Sequence, residues 1–386
     1  MEKMKTPIYL DYNATTPIDR RVADAMLPYL YDYFGNPSSS HRIGVQAKLS
    51  LEHARQQVAE MIGAKPPEIV FTSGGTEANN LAIRGYCFAN RDKGNHIITS
   101  SIEHPAVLEV CESLVAEGFD LTILPVDSNG LVNPQNLKNA IRANTILVSI
   151  MHANNEVGTI QPVRELSAIA HEAGAAFHCD AAQSIGKIKV NVLELGVDLL
   201  SIAGHKFYAP KGIGALFIRS GINIQKITYG AGHERNLRPG TENILEIVGL
   251  GAAAEVANRD LLINQQHLFA MRDRLESGLF AEFGNDILKV NGHPNFRLPN
   301  TLSVSLHEVR ANEFLLKIQN DIAASAGAAC HADQVNISYV LQAMNVPSEW
   351  AMGTLRFSVG RETTVAEIDL AIKTICFALK DSEVLN

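Results

Sequence analysis

The chain has 386 residues, of which 46% are hydrophobic and 19% charged, and its formal net charge is −8. This length allows two domains, or one large domain with a smaller companion. The negative charge argues against a nucleic-acid-binding or anionic-membrane surface, and no run of about 18 apolar residues predicts a membrane span.

Strand-like and helix-like segments alternate through most of the chain. In chain order, the patterns predict a strand at 68–72, a helix at 79–89, a strand at 96–100, a helix at 106–117, strands at 121–125 and 145–150 with a helical stretch between them, a helix at 166–173, and strands at 176–179, 199–202 and 214–218. This alternation predicts an α/β fold with a mainly parallel sheet covered by helices on both faces.

The regular alternation of strand-like and helix-like segments changes near residue 260. A long helix at 261–283 precedes strands near 288–290 and 300–305, a loop around Cys330 and a final helix from Val365. We therefore predict a large domain of residues 16–258 and a smaller α+β domain of residues 1–15 and 259–386.

The cysteines and the N-terminal residues indicate the cellular compartment. The chain has five cysteines with no Cys-x-x-Cys pair, so we expect neither a metal site nor a disulfide framework. Residues 1–7 have no long apolar region and no small-residue cleavage site, so we expect no signal peptide. These observations favour a reducing cytoplasm.

Two strand ends carry the most specific chemistry. Lys206 follows an apolar strand behind a Gly-His turn, where an amine can attack a carbonyl. Asp180 ends a strand that we expect to be buried, and a buried carboxylate is costly unless it is paired. The protonated ring nitrogen of pyridoxal phosphate suits Asp180, and the aldehyde of that cofactor suits Lys206. An ordinary capping aspartate is the alternative.

The segment 72–77 lies between a predicted strand and a predicted helix. Gly74 and Gly75 allow a tight turn, and the helix N-terminus offers amide donors and a positive dipole end to a phosphate. Thr76 is placed to act as the N-cap. A capped turn without a ligand is equally compatible with this pattern.

Three other polar positions have a functional and a structural interpretation. His104 follows a strand and can stack on a flat ring or move protons, although a lone histidine is more often structural. Asn155, in an Asn-Asn pair, can bind a ring hydroxyl or a carboxylate, or simply form a turn. Arg356 alternates with apolar neighbours and needs an anion, either an amino-acid carboxylate or a structural partner.

Two loops complete the set of candidates. Thr241 follows an Arg-Pro-Gly run, and its hydroxyl can bind a phosphate, including one in a partner subunit, or belong to a plain loop. Cys330 lies among small residues in a predicted loop that can leave its thiol accessible, whereas the other cysteines occupy apolar patterns.

In this order and spacing, the motifs resemble those of the cysteine desulfurases and selenocysteine lyases of the class V aminotransferase family. The resemblance covers almost the full length and is carried by residues 9–17, 35–39, 73–77, 103–104, 154–156, 180–183, 204–206, 238–243, the Cys330 segment and 356–358. It implies the type I fold of pyridoxal-phosphate-dependent transferases, the cofactor pyridoxal 5'-phosphate and a homodimer.

The resemblance also implies a role for each matching residue. Lys206 would hold the cofactor covalently and move protons, His104 would stack on the ring, and Cys330 would be the nucleophile. The resemblance implies that Asp180 contacts the pyridine nitrogen and Gln183 the ring hydroxyl. The phosphate would be bound by Gly75, Thr76, His205 and the neighbouring subunit's Thr241. The substrate carboxylate would be bound by Asn155 and Arg356, and Asn13 would belong to the substrate site. Ala203 stands where many desulfurases have a phosphate-binding serine.

The implied activity is removal of sulfur from L-cysteine, giving L-alanine and a Cys330 persulfide that passes to an acceptor protein or a small thiol, for example in iron–sulfur cluster assembly. Selenocysteine lyase is the alternative, because the Gly-Ala-Ala-Cys-His form around Cys330 is closer to those enzymes. Pro105 favours the desulfurase, since animal-type selenocysteine lyases have an acidic residue at this position. A non-catalytic sulfur-carrier scaffold is the third hypothesis.

Overall fold

The computed structural model describes the backbone of residues 6–331 and 334–380, and the side chains of these ranges except those of residues 328–336. The strands are β1 (Ile8–Tyr9), β2 (Ile69–Thr72), β3 (His96–Ser100), β4 (Asp120–Leu124), β5 (Thr145–Ser149), β6 (Ala176–Asp180), β7 (Leu199–Ala203), β8 (Gly214–Ile218), β9 (Leu288–Asn291), β10 (Thr301–Leu306), β11 (Ile322–Ala323), β12 (Ser325–Ala326), β13 (Ala328–His331), β14 (Gln334–Ile337) and β15 (Thr354–Ser358).

The helices are α1 (Arg20–Met26), α2 (Pro28–Tyr31), α3 (Arg42–Ile62), α4 (Gly75–Ala89), α5 (Pro105–Val115), α6 (Pro134–Ala140), α7 (Val163–Glu172), α8 (Val192–Leu195), α9 (Ile244–Arg259), α10 (Leu261–Ile287), α11 (Ala311–Ile318), α12 (Tyr339–Ala343), α13 (Ser348–Ala351) and α14 (Val365–Lys380). Within the described ranges, each helix is too short or too polar to pass through a lipid bilayer.

The largest sheet has seven strands in the order β2–β8–β7–β6–β5–β3–β4. Strands β7, β6, β5, β3 and β4 are parallel to their neighbours in this series, whereas β8 is antiparallel to both β2 and β7. The prediction of a mainly parallel α/β sheet is therefore confirmed.

The two faces of this sheet are buried in separate hydrophobic layers. Ile98 and Phe177 pack on one face with α3, α7 and α9, whereas Ile97 and Leu147 pack on the other with α4 and α5. Successive side chains of a strand point to opposite faces, so a strand buried on both sides is continuously apolar. This is why the sequence pattern predicted these strands well.

A second core lies outside the large sheet. It joins Ile8 and Leu10 to α10, α11, α14 and the four-stranded sheet β12–β15–β10–β9. Helices α12 and α13, by contrast, contribute Val340, Leu341 and Ala351 to the core of the large sheet. The division into 16–258 and 1–15 with 259–386 remains a prediction.

The prediction of a loop around Cys330 is wrong for the backbone. Strands β13 and β14 pair antiparallel, with Cys330 opposite Val335. The neck of this hairpin is closed by a backbone hydrogen bond from Ser338 to Gly327 (3.0 Å). Pairing satisfies the backbone N–H and C=O groups that a run of small residues cannot satisfy with its side chains.

Candidate active site

A cavity of about 350 Å³ lies where the segments following β3, β5, β6 and β7 meet. Carboxyl ends of parallel strands collect at one edge of a sheet, which is where ligands of open α/β sheets bind. Most of the predicted site residues line this cavity, namely Asn13, Gly75, Thr76, His104, Asn155, Asp180, Gln183, His205, Lys206 and Arg356.

Lys206 lies at the end of a short 3-10 turn, Gly204–Lys206, that directly follows β7. Its Nζ donates to the backbone oxygens of Asn13 (2.7 Å) and Ala14 (2.9 Å). Burial, and to a smaller extent the positive charge of Arg356, lowers the pKa of Lys206 to about 8. A lysine with such a pKa is substantially neutral near pH 8, and only the neutral amine attacks a carbonyl.

Asp180 is 7% exposed and ends β6 as predicted. Its Oδ2 accepts from Nδ2 of Asn79 (2.7 Å), and its Oδ1 accepts from the backbone N–H of Ala182 (2.9 Å). These two neutral donors orient the carboxylate without cancelling its charge. Asp180 is therefore an anionic group at the cavity wall.

His104 is the N-cap of α5, where its Nδ1 accepts from the backbone N–H of Ala106 (3.1 Å). In the neutral ring the proton is then on Nε2. The ring is solvent-exposed on the side of the open cavity, yet burial of its other side by the protein lowers the pKa of His104. Among the described residues, no group accepts a hydrogen bond from Nε2 of His104.

The N-terminus of α4 is an open turn. Gly74 is the N-cap, with φ +153° and no side-chain capping bond. The prediction that Thr76 is the N-cap is wrong, because Thr76 is the second residue of the helix. An ideal Cβ on Gly75 would lie 3.2 Å from the Cβ of Ala203, so this wall of the cavity is closely packed. The amides of the first turn are left free for an anion.

His205 lies beside this turn in the cavity. Its Nδ1 is 3.2 Å from Oγ1 of Thr15, and burial with the charge of Lys206 lowers its pKa to about 4. The ring is therefore neutral at physiological pH and can donate or accept one hydrogen bond.

Arg356 forms the opposite wall, on β15. Its Nη2 donates to Oδ1 of Asp11 (2.8 Å) and to Oγ of Ser325 (2.9 Å), and its Nη1 donates to the backbone oxygen of Asn155 (3.2 Å). Its Nε and Oδ1 of Asn155 are buried without a partner in the described structure. The structural partner is thus confirmed, whereas the contact with an amino-acid carboxylate stays a prediction, for which Nε is an unpartnered donor.

Thr241 is the predicted residue that lies away from the cavity wall, and Cys330 lies outside the described side chains. Thr241 is exposed in the segment before α9 and does not line the cavity. For Cys330 the backbone lies in β13, and its side chain is outside the described part of the structure.

Three residues at or behind the cavity were not predicted as site residues, namely Asn79, Lys187 and Asp11. Asn79 is buried in α4 one turn after Gly75, and Lys187 donates to Gln183 and Asn13 behind the cavity. A buried asparagine on an apolar helix face was a detectable signal. The burial of Lys187 was not, because the residue lies in a turn with no periodicity.

These groups fit pyridoxal 5'-phosphate. The free amides of α4 suit its phosphate, Asp180 suits its ring nitrogen, and the amine of Lys206 suits its aldehyde. In the described structure, the donor Nε of Arg356 and the acceptor Oδ1 of Asn155 lie unpartnered beside these groups.

Comparisons with known proteins agree with this geometry. Residues 8–370 match the family model "Aminotransferase class-V". "Cysteine desulfurase IscS" of Dictyoglomus turgidum is 48% identical over 373 residues, covering 96% of this chain and 94% of the relative.

Two solved structures have the same fold. A "NifS-like protein" superposes with a TM-score of 0.91 at 38% identity, covering 97% of this chain and 100% of that one. "SspA in complex with cysteine" superposes with a TM-score of 0.79 at 36% identity, covering 92% and 99%. The curated relative is a desulfurase, so the selenocysteine lyase alternative is not favoured. The chain belongs to the class V aminotransferase family, among its pyridoxal-phosphate-dependent cysteine desulfurases.

Proposed function

We propose that this protein removes sulfur from L-cysteine at the described cavity and passes it to Cys330. The observation that carries the proposal is the convergence of the amine of Lys206, the carboxylate of Asp180 and the guanidinium of Arg356 on one cavity. An amine, an anion and a cation together match the aldehyde and ring nitrogen of the cofactor and the carboxylate of an amino acid.

The cofactor would be held by residues of five segments. The α4 amides at Gly75 and Thr76, with His205, would bind the phosphate. Asp180 would bind the ring nitrogen, Gln183 the ring hydroxyl and Asn155 the cofactor edge, and His104 would stack on the ring. When bound, pyridoxal phosphate supplies an electron sink that makes the Cα proton of the substrate acidic.

The chain's own residues then bind the substrate and move its proton. Arg356 and Asn155 hold the carboxylate of L-cysteine, next to Asn13. Lys206 has a pKa of about 8, so near pH 8 its neutral form can take the Cα proton at Nζ and return a proton later. The backbone oxygens of Asn13 and Ala14 keep this nitrogen in place.

The sulfur step balances without an external oxidant. The Cβ–S bond of L-cysteine breaks and an S–S bond to the Cys330 sulfur forms. The thiol hydrogens supply the new C–H bond of L-alanine and the persulfide proton. One cysteine and one protein thiol give one alanine and one persulfide. An acceptor protein or a small thiol then removes the outer sulfur.

A second copy of the chain is also proposed, because Thr241 would reach the phosphate only from a partner. Two observations support it. Large apolar side chains are exposed on α1–α3 and the segments joining them, with Tyr31 and Phe34 each 75% exposed. His233 and Glu242 carry buried polar atoms without partners in the described ranges, and both border a groove with residues of α3. Apolar patches of this kind mark association surfaces.

A cytoplasmic location is proposed as well. Cys87, Cys111, Cys179 and Cys376 are all free and buried thiols, which suits a reducing compartment.

The test combines product release with site mapping. Purified protein with pyridoxal phosphate and a reductant should release alanine and sulfide from L-cysteine in equal amounts. Borohydride reduction should fix the cofactor on Lys206. Cys330→Ala should keep the bound cofactor and lose persulfide formation, whereas Cys376→Ala, altered within α14, should keep both. Label on another lysine, or a normal persulfide in Cys330→Ala, refutes the proposal.

A further inference from the structure

Lys187 is a buried amine behind the cavity, and the proposed reaction does not use it. It is 6% exposed and lies in the turn that follows β6. The preceding residue, Gly186, has φ +74°, and an ideal Cβ there would lie 2.9 Å from the Cβ of Phe207. The turn therefore packs directly against the residue that follows Lys206.

Neutral acceptors surround this amine. Nζ of Lys187 donates to Oε1 of Gln183 (2.7 Å) and to Oδ1 of Asn13 (3.2 Å). In residues 6–331 and 334–380, no carboxylate forms an ion pair with it. Burial, with the charges of Lys206 and Arg356, lowers the pKa of Lys187 far below its ordinary value. The two oxygens of Gln183 and Asn13 accept two hydrogens of this amine.

The first contact fixes the orientation of the Gln183 amide. Its oxygen accepts from Lys187, and its nitrogen donates one hydrogen to the backbone oxygen of Asn13 (3.1 Å). The second N–H has no partner among the described side chains and backbone groups. Gln183 borders the cavity, so this orientation offers a donor there, whereas a flipped amide would offer an oxygen.

The second contact fixes Asn13. Its Oδ1 accepts from both Lys187 and Asn300, so its Nδ2 is directed to Oγ1 of Thr301. The backbone oxygen of the same Asn13 accepts from Lys206 and from Gln183. Lys187 is thus linked to the amine of Lys206 through a single residue.

We propose that Lys187 is a positioning residue that holds the Gln183 amide with its N–H toward the cavity, and so selects a ligand that has an anionic oxygen there. Given the cofactor of the proposed function, that oxygen is the ring hydroxyl of pyridoxal phosphate. A flipped amide would place one oxygen against another, which removes the bond and adds repulsion.

The experiment measures how apoprotein discriminates between two aldehydes. Wild type, Lys187→Met and Lys189→Met are each titrated with pyridoxal phosphate and with its 3-deoxy analogue, which lacks only the ring hydroxyl. Lys187→Met keeps the length and loses the donors. Lys189→Met is the matched control, because Lys189 is exposed and pairs with Glu194.

For Lys187→Met, we expect the Kd of pyridoxal phosphate to rise about tenfold and that of the analogue less than about twofold, as for a lost hydrogen bond to a charged group. Lys189→Met should change neither Kd. The inference is overturned if Lys187→Met weakens the binding of both ligands equally, which is the result of a general packing defect. It is also overturned if neither Kd changes.

A second variant keeps the test decisive if Lys187→Met does not fold. Gln183→Glu retains an oxygen for Lys187 and removes the N–H, so it should show the same selective loss. A wild-type ratio in Gln183→Glu overturns the inference. Failure of wild type to bind pyridoxal phosphate refutes the proposed function instead, which separates the two failures.

Discussion

Asn79 donates from its Nδ2 to Oδ2 of Asp180 across 2.7 Å, and this bond ties α4 to the end of β6. The same helix presents its free first-turn amides to the cavity. One buried asparagine therefore fixes the distance between the phosphate-binding turn and the carboxylate for the ring nitrogen.

Asn79→Ala should therefore weaken cofactor binding without removing any proposed cofactor contact. We expect the Kd of pyridoxal phosphate to rise about tenfold, because Asp180 loses a charge-assisted hydrogen bond of about 1.5 kcal/mol or more. Asn80→Ala is the control, since within the described structure the Asn80 side chain donates to the Thr76 carbonyl on the exposed side of α4 and not to Asp180. Titration of apoprotein measures both, and equal Kd values for the two variants would contradict the role of Asn79.

The rate of cofactor attachment should follow the ionisation of Lys206. Burial and Arg356 lower the pKa of Lys206 to about 8, so the amine is protonated and unreactive well below pH 8 and neutral above it. The attachment rate to apoprotein should rise with pH and level off, with a midpoint near 8. Stopped-flow absorbance over pH 6.5 to about 10 measures it, and a midpoint near the ordinary lysine value would contradict the geometry.

Arg356→Gln should change two quantities together. Removing the guanidinium takes a donor from the substrate carboxylate, so the KM for L-cysteine should rise about 10- to 100-fold. It also removes a positive charge and leaves Asp11 unpaired, and both effects raise the pKa of Lys206. The attachment midpoint should therefore move above that of wild type.

Arg361→Gln is the control for that experiment. Arg361 pairs with Asp19 and lies over the ring of Tyr208, outside the cavity wall. Its loss should leave the KM and the attachment midpoint unchanged. A change in the Arg356→Gln variant that Arg361→Gln reproduces would count against a substrate contact.

Arg55→Met should destabilise the fold strongly. Arg55 donates to both carboxylate oxygens of Glu234 (2.7 and 2.9 Å), and both residues are buried. Removing one partner leaves a buried charge uncompensated, at a cost of about 3–5 kcal/mol. Arg274→Met breaks an exposed pair with Asp369 and should cost less than about 1 kcal/mol. Urea unfolding compares them, and similar losses would contradict the assignment.

Glu103 should make stability fall as the pH rises. Complete burial raises the pKa of Glu103 from 4.5 to about 8, although Ser100 and the Met151 N–H bond it. Between these two values the folded chain keeps a proton that the unfolded chain releases, so the free energy of unfolding decreases with pH by up to about 1.4 kcal/mol per unit.

Glu103→Gln should remove that slope, because glutamine does not titrate. The gap in unfolding free energy between the variant and wild type should widen from about pH 5 to about pH 8. Glu109→Gln, at an exposed position of α5, serves as the control. Parallel stability profiles for wild type and Glu103→Gln would show that the carboxyl does not carry a proton in the fold.

The sequence by itself determined the α/β alternation and the strand-end positions of His104, Asp180 and Lys206. Strands buried on both faces are continuously apolar, and a polar residue at the end of such a run stands out locally. The order and spacing of these motifs also indicated the family.

Only the tertiary structure decided which residues position the side chains of the site and change their pKa values. The bonds from Asn79 to Asp180, from Lys187 to Gln183 and from Asp11 to Arg356 join residues of separate elements, and no local pattern encodes them. The lowered pKa of Lys206 likewise depends on burial and on Arg356, which lies 150 residues away in sequence. Burial and through-space charge arise only when the chain is folded, so they were beyond local sequence reasoning.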